Sequence, residues 1–288
     1  MSPDPFRQAL RDLGWVEGQN LTIELRDAEG RSERLPALAE DLVRAGVELI
    51  YAPVGSTAIA AQQATSAIPI VFATAADPVG QGLVVSLARP GGNLTGLSSS
   101  NSELMAKRVQ LLKEVVPGAT RLAVLHNDQL AGQPMYESIR RSAEAGARAA
   151  GLQIRFVDES GPAPAQLADA FSNVVAGQPD VLLVVPTPVF TPFQRQLGEL
   201  AAMNRLPAIS DDLSFVRAGL LLSYGANYDD LQTRAASFAD RILKGANPAD
   251  LPVEQPTKFD FGINLQTARA IGLTIPQGVL AQATEVIQ

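Results

Sequence analysis

Small polar side chains recur at the carboxyl ends of the predicted β-strands. In open α/β sheets these ends border the crevice in which ligands bind. Hydroxyl groups at the start of a helix suit an anion such as a carboxylate, because the first N–H groups of the helix are unpaired there. Carboxylate side chains suit a cation such as an ammonium group. The candidate ligand-binding residues are Ser56, Thr57, Thr74, Asp77, Asn127, Thr187, Asp211 and Tyr224.

The pair Asp211-Asp212 follows a short predicted strand. Adjacent carboxylates point in different directions, so a metal ion shared between these two is a poor fit. One of them could cap the next helical turn, and the other could accept hydrogen bonds from a ligand ammonium group. The pattern leaves open which residue has which role.

Several kinds of catalysis are excluded by composition. The chain has no cysteine and one histidine, His126, which rules out thiol nucleophiles, disulfides and His-rich zinc sites. Neither of the glycine-rich phosphate-binding patterns is present, and there is no G-x-S-x-G motif. We therefore expect no cofactor, no metal and no enzymatic activity. His126 ends a predicted strand, where it could touch a substrate, but we expect it to be a solvated or hydrogen-bonded loop histidine.

Charge and hydropathy narrow the range of partners. The 288 residues carry a net charge of −7, which disfavours nucleic acid and anionic membrane as partners. No apolar run approaches the ~18 residues of a transmembrane helix. No export signal is visible at the start, so we expect a cytoplasmic protein unless the signal is not part of this sequence.

The elements that must position these residues alternate between short apolar runs and helical patterns. This alternation predicts βαβ units and parallel sheets, and the length suits two of them. The predicted strands are 21–26, 47–52, 68–73, 121–126, 152–157, 181–186 and 219–224. The predicted helices are 6–13, 35–45, 104–115, 136–150, 166–175, 192–203, 230–243 and 265–271.

Two turn-rich stretches, 89–96 and 246–256, separate these patterns, and the first is the predicted domain boundary. The chain opens with a helix, whereas a doubly wound domain usually opens with a strand. The first strand of the N-terminal sheet is therefore expected to be missing.

A series of motifs resembles one known family over nearly the whole chain. The first is F-R-Q-A-L-R-D-L-G-W-V-E-G-Q-N at 6–20, and the most specific is G-L-V-V-S-L-A-R-P-G-G-N-L-T-G at 82–96. The others lie at 35–39, 68–72, 77–79, 223–228, 242–248, 251–254 and 264–268. In their order and number, these motifs resemble the substrate-binding proteins of ABC importers of the tryptophan/tyrosine-transport type.

The resemblance implies the type I periplasmic-binding-protein fold, with two doubly wound α/β lobes and a ligand cleft. Three crossovers near 96–98, 223–225 and 253–255 would divide the chain. One lobe would contain 1–97 with 226–254, and the other 98–223 with 255–288. Family members carry an export signal, a strand and a Ser/Gly-rich loop ahead of the first motif, and this sequence departs from them there.

The function implied is capture of a small carboxylate-bearing solute, such as an aromatic or branched amino acid, by hinge closure. Ser56 and Thr57 would hold the carboxylate, Asp77 or Asp211 would take the ammonium group, and Tyr224 would line the floor. The expected partners are this ligand and an ABC permease, with no nucleic acid, and the protein would be a periplasmic monomer.

Two alternatives remain open at this point. One is a ligand-sensing regulatory module of the same fold, although the chain has no spare ~60 residues for a DNA-binding or signalling domain. The other is a small-molecule enzyme on a doubly wound fold, for which no nucleophile or cofactor motif is present.

Overall fold

The computed structural model describes residues 4–127, 134–159, 164–185 and 190–288. The chain divides into two compact units, one of Met1–Ser100 with Asn227–Lys258 and the other of Asn101–Ala226 with Phe259–Gln288. The chain therefore passes from one unit to the other three times, after Ser100, Ala226 and Lys258. Each unit has helices around a β-sheet, and the expected α/β class with parallel doubly wound sheets is confirmed.

The first unit is built on a parallel three-stranded sheet in the order β1-β2-β3, counted over the described residues. Its strands are β1 (Ile50–Val54), β2 (Ile70–Ala75) and β3 (Leu94–Ser98). Its helices are α1 (Pro5–Asp12), α2 (Leu35–Arg44), α3 (Gly55–Ala64) and α9 (Tyr228–Leu243). The β2 run Ile70, Val71, Phe72 and Ala73 is wholly buried, as expected for a strand covered on both faces.

The prediction of a strand at 21–26 is wrong. Leu21 forms only an isolated bridge with Glu17, and the residues that follow form no ladder. A cavity of about 1120 Å³ is lined both by residues 20–28 and by β1, which is an edge strand of its sheet. Alternation indicates which side chains face an apolar surface, but a strand also needs a neighbouring backbone, and within the described part of the chain residues 22–26 pair with none.

The prediction of a turn-rich boundary at 89–96 is partly wrong, because residues 94–96 belong to β3. Leu94 pairs with Ile70 in a parallel register, and all five residues of β3 are buried. Gly96 adopts φ +150°, and a Cβ there would lie 1.9 Å from the carbonyl oxygen of Phe72. The glycine therefore marks a close strand-to-strand approach rather than a turn.

The second unit is built on a seven-stranded sheet in the order β10-β9-β8-β7-β6-β4-β5, within the described part of the chain. All neighbouring pairs are parallel except β8 and β9. The strands are β4 (Arg121–Asn127), β5 (Gln153–Glu159), β6 (Val181–Val184), β7 (Ala208–Ser210), β8 (Leu222–Ala226), β9 (Phe259–Asn264) and β10 (Glu285–Ile287). The helices are α4 (Asn101–Val115), α5 (Pro134–Ala150), α6 (Pro164–Ala176), α7 (Gln194–Met203), α8 (Leu213–Arg217), α10 (Leu265–Ala270) and α11 (Gln277–Leu280).

The start of β4 is held by Asp180, the residue just before β6. Its carboxylate accepts from Thr120 N and Arg121 N at 2.8 and 2.9 Å, and from the Thr120 hydroxyl at 2.9 Å. Burial acts to raise the pKa of Asp180, but the hydrogen bonds from Thr120 and Arg121 outweigh it and lower the pKa to about 2.

Asp180→Asn is expected to lower the free energy of unfolding at pH 7 by about 1–2 kcal/mol. This figure is discounted because the ion pair of Asp180 with Arg121 is partly exposed to solvent. A carboxyl group with a depressed folded-state pKa stabilises the fold above its unfolded pKa, near 4. That contribution disappears as the pH falls from about 4 to about 2. Urea denaturation of both proteins at pH 7 and at the lowest pH that keeps them folded measures the change. The exposed Asp169→Asn on α6 is the control, and an equal effect of pH on both variants would contradict the prediction.

Candidate functional site

The first unit places Ser56 and Thr57 at the start of α3, directly after β1. The Thr57 hydroxyl donates to the Val54 carbonyl at 2.7 Å and accepts from Val54 N at 3.2 Å. The Thr74 hydroxyl, at the end of β2, donates to the Pro53 carbonyl at 2.8 Å. Both hydroxyl protons are therefore used to shape the end of β1, whereas Ser56 is exposed. The sequence-based assignment of a ligand-binding role to this edge remains a prediction.

Asp77 shapes the loop that follows β2. Its Oδ1 accepts from Gly80 N at 2.8 Å, which closes a turn of the kind that aspartate side chains often form. A Cβ at Gly80 would lie 2.3 Å from Asp77 Oδ2, so a larger residue there would displace the Asp77 carboxylate. The carboxylate thus has a structural task, and its role towards an ammonium group stays a prediction.

Gln81 is a candidate that the sequence reasoning missed. A Cβ on Gly55, at the start of α3, would lie 2.5 Å from Gln81 Nε2. The Gln81 Oε1 atom is buried and has no hydrogen-bond partner among the described residues. A buried acceptor without a partner costs about 1–3 kcal/mol, so this position favours a donor from a ligand. No sequence motif predicts a role for Gln81. The one indication in the sequence is the glycine at position 55, which leaves room for the Gln81 side chain.

In the second unit, His126 and Asn127 end β4 and are both buried. His126 Nε2 lies 2.7 Å from the Tyr136 hydroxyl and 2.7 Å from Asp158 Oδ1. Burial and the carboxylate of Asp158 raise the pKa of Tyr136 to about 12, which keeps its phenol protonated. His126 is therefore hydrogen-bonded and buried within β4, and it is not a solvated loop histidine. Thr187, the candidate that follows the predicted strand 181–186, lies outside the described residues.

The structure distinguishes the two adjacent aspartates. Asp212 caps α8, since its side chain accepts from Ser214 N at 2.8 Å. Asp211 is 3% exposed, and its Oδ2 accepts from Asn101 Nδ2 at 3.1 Å. The structure thus assigns the capping role to Asp212, and a role of Asp211 towards a ligand cation stays a prediction.

Asn101 and Arg108, which the sequence reasoning did not select, connect Asp211 to Tyr224. Arg108 is fully buried, and its Nη2 donates to Asn101 Oδ1 at 2.5 Å. Its Nε donates to the Tyr224 carbonyl at 2.6 Å. We call Asn101, Arg108, Asp211 and Tyr224 the Arg108 cluster. A signal for it was present, because Arg108 is spaced four residues after Leu104 and three before Leu111 on the apolar face of α4.

The ring of Tyr224 adds an aromatic surface to this cluster. It stacks on Phe259 with centroids 6.1 Å apart and planes 5° apart, and it meets the edge of Phe261 at the same distance. Among the described residues no group of three or more acidic, histidine or cysteine side chains could hold a metal ion. No helix in those residues is long and apolar enough to span a bilayer.

Comparison with known proteins gives consistent matches over most of the chain. Residues 3–287 match the family model described as ABC transporter substrate binding protein. A relative from Clostridioides difficile, a tyrosine-binding protein, is 29% identical over 269 residues, which span 93% of this chain and 75% of the relative.

Solved structures share the fold over nearly the full length. A conserved domain protein from Vibrio cholerae superimposes with a TM-score of 0.90 at 28% identity, covering 98% of this chain and 94% of that one. An ABC domain from Streptococcus pneumonia, solved in complex with L-Trp, has a TM-score of 0.88 at 24% identity, with coverage of 98% and 93%. At 24% identity, the similarity to the Streptococcus structure shows a shared fold and nothing further.

Proposed function

The chain belongs to the ABC transporter substrate binding protein family, and from this premise we propose that it captures an aromatic amino acid for an ABC importer. Proteins of this family bind a solute and do not transform it, so the chain is a binding protein and not an enzyme. The 29% identical relative is a tyrosine-binding protein, and this supports the choice of an aromatic amino acid over other solutes.

The observation that carries the ligand class is the buried carboxylate of Asp211. Asp211 is 3% exposed and already accepts a hydrogen bond from Asn101, and a carboxylate held in this way suits an α-ammonium group, which offers up to three charged donors. The Tyr224 ring, stacked on Phe259, supports an aromatic body beside it. Asn127 and Thr187 are proposed as further polar contacts from the same unit.

For the ligand carboxylate we propose the start of α3 in the first unit. The exposed Ser56 hydroxyl and the unpaired N–H groups of this helix, which has ten residues, suit an anion. Thr57 and Thr74 would maintain the backbone at this edge, since their hydroxyl protons are engaged there. Asp77 would position the loop that follows β2, because it accepts a hydrogen bond from Gly80. Gln81, in the same loop, would accept a hydrogen bond from the ligand.

The proposed mechanism is hinge closure between two lobes, 1–97 with 226–254 and 98–223 with 255–288. A ligand that contacts both lobes binds the closed state more tightly and shifts the population towards it. The permease would then recognise the closed form. We propose that the protein is a monomer that works in the periplasm, where an importer collects its solute.

Calorimetric titration with L-tyrosine, L-tryptophan and L-phenylalanine tests the proposal. Chemical denaturation with and without ligand gives a second readout, because an amino acid at 100 times its Kd is expected to raise the free energy of unfolding by about 2.7 kcal/mol. Asp211→Asn keeps the shape of the side chain but removes its charge, and should weaken binding by about 1–3 kcal/mol, or roughly 5- to 150-fold.

Asp212→Asn is the matched control, because it changes the neighbouring carboxylate, which caps α8, and should leave affinity unchanged within about twofold. Absence of binding by all three amino acids would overturn the proposed ligand class. Equal affinities of the wild type and Asp211→Asn would overturn the role of Asp211 alone.

A further inference from the structure

Arg108 is an unusual residue for the interior of a protein. Its side chain is fully buried at 0% exposure on α4, in the second unit. Arginine is almost never buried without partners, because removing its charge from water is costly. Its Nε donates to the Tyr224 carbonyl and its Nη2 to Asn101 Oδ1, at 2.6 and 2.5 Å. The planar guanidinium therefore fixes two acceptors in one geometry.

Asn101 passes this geometry on to Asp211. The carboxamide is held by Arg108 at its oxygen, which directs its Nδ2 atom towards Asp211 Oδ2 at 3.1 Å. All three side chains are buried, with Asn101 at 8% exposure. An amide whose oxygen is held in this way has a single orientation, and so the carboxylate that accepts from its nitrogen is oriented too.

The cluster lies close to two of the three points at which the chain passes between units. Asn101 directly follows Ser100, a non-glycine residue with φ +49°, and Tyr224 lies two residues before the passage after Ala226. Ser102, the next residue of α4, has a buried hydroxyl without a hydrogen-bond partner among the described residues. The start of α4 thus carries a fixed amide and an unused hydroxyl, and the amide holds the Asp211 carboxylate, which follows β7.

We infer that Arg108 and Asn101 are positioning residues that orient the Asp211 carboxylate for the α-ammonium group of the ligand. We call the hydrogen bonds that run from Arg108 through Asn101 to Asp211 the relay. The relay makes the site bind amino acids more tightly than the corresponding acids that lack the amine. This inference rests on the proposed function and deepens it, because it assigns the origin of amine selectivity to two residues that do not themselves need to contact the ligand.

The test is the ratio of affinities for L-tyrosine and for 3-(4-hydroxyphenyl)propanoate, which lacks only the amine. In Asn101→Leu, a change of similar shape that removes both hydrogen bonds, the affinity for L-tyrosine should fall roughly tenfold or more. The affinity for the amine-free acid should stay within about twofold. A general packing defect would weaken both ligands equally, so the ratio separates positioning from structure.

Arg108→Lys keeps the charge but cannot reproduce the fork that reaches both acceptors, and it should lower the same ratio by a smaller factor. This variant also serves if Asn101→Leu does not fold. Asn204→Leu, at an exposed position in the same unit, is the control and should leave both affinities unchanged.

A reduced tyrosine-to-acid ratio in both relay variants supports the relay. An unchanged ratio in folded variants, with the wild type still binding L-tyrosine, overturns the relay and leaves the proposed function intact. Failure of the wild type to bind L-tyrosine overturns the proposed function and the relay together.

Discussion

Gly225→Ala is expected to lower the free energy of unfolding by roughly 3 kcal/mol or more and to abolish high-affinity ligand binding. A Cβ at this position of β8 would lie 2.0 Å from the carbonyl oxygen of Asp211 and 3.0 Å from its carbonyl carbon. Both atoms are backbone, so relief requires β8 or the Asp211 main chain to move. The substitution thus disturbs the sheet and displaces the proposed ammonium site at once.

Chemical denaturation followed by circular dichroism measures the loss, and a titration of the folded variant with L-tyrosine measures the effect on the site. Gly118→Ala in the same unit is the matched control, because no atom lies within 4 Å of its added Cβ. A Gly225→Ala protein as stable as the Gly118→Ala control would show that the close approach at Asp211 does not constrain the fold.

Arg108→Met has the second large expected effect, a loss of about 3–5 kcal/mol in the free energy of unfolding. Methionine fills part of the space but leaves the Tyr224 carbonyl and Asn101 Oδ1 without the donor that pairs them. Buried acceptors that lose their partner incur their full desolvation cost. The loss should therefore exceed that of any surface charge change on α4.

Lys107→Met is the comparison, since it removes a positive charge from the adjacent, half-buried position of the same helix. We expect that variant to stay within about 0.5 kcal/mol of the wild type. Urea titrations at neutral pH give both values, and equal stabilities for the two variants would contradict the structural importance of the Arg108 cluster.

The adjacent aspartates illustrate what local sequence can and cannot decide. The pattern indicates that one of them caps a helix and the other is available for a ligand, since both roles follow from residue type and position. The capping role of Asp212 depends on where α8 begins, and the proposed ligand role of Asp211 depends on Asn101, a residue 110 positions away that donates to it. Long-range hydrogen bonds of this kind leave no mark in the local pattern.

The segment 21–26 shows the same limit for secondary structure. Its alternation is that of a strand, yet its polar and apolar residues alike line the cavity beside β1, and Leu25 is 68% exposed. Periodicity encodes which side chains face an apolar region, but a β-ladder is made with another segment. The adjacency of that second backbone is decided only by the folded sheet, in which β1 is an edge.

By itself, the sequence determined the α/β class, most of the strand and helix order and the family resemblance, because each depends on local periodicity or on motifs. It also determined that thiol, multi-histidine and phosphate-loop chemistry is excluded, since the residues are absent. Only the tertiary structure decided that Thr57 and Thr74 serve the end of β1. Only the tertiary structure brought Arg108 and Asn101 to Asp211, because burial of a charged side chain depends on partners from distant segments.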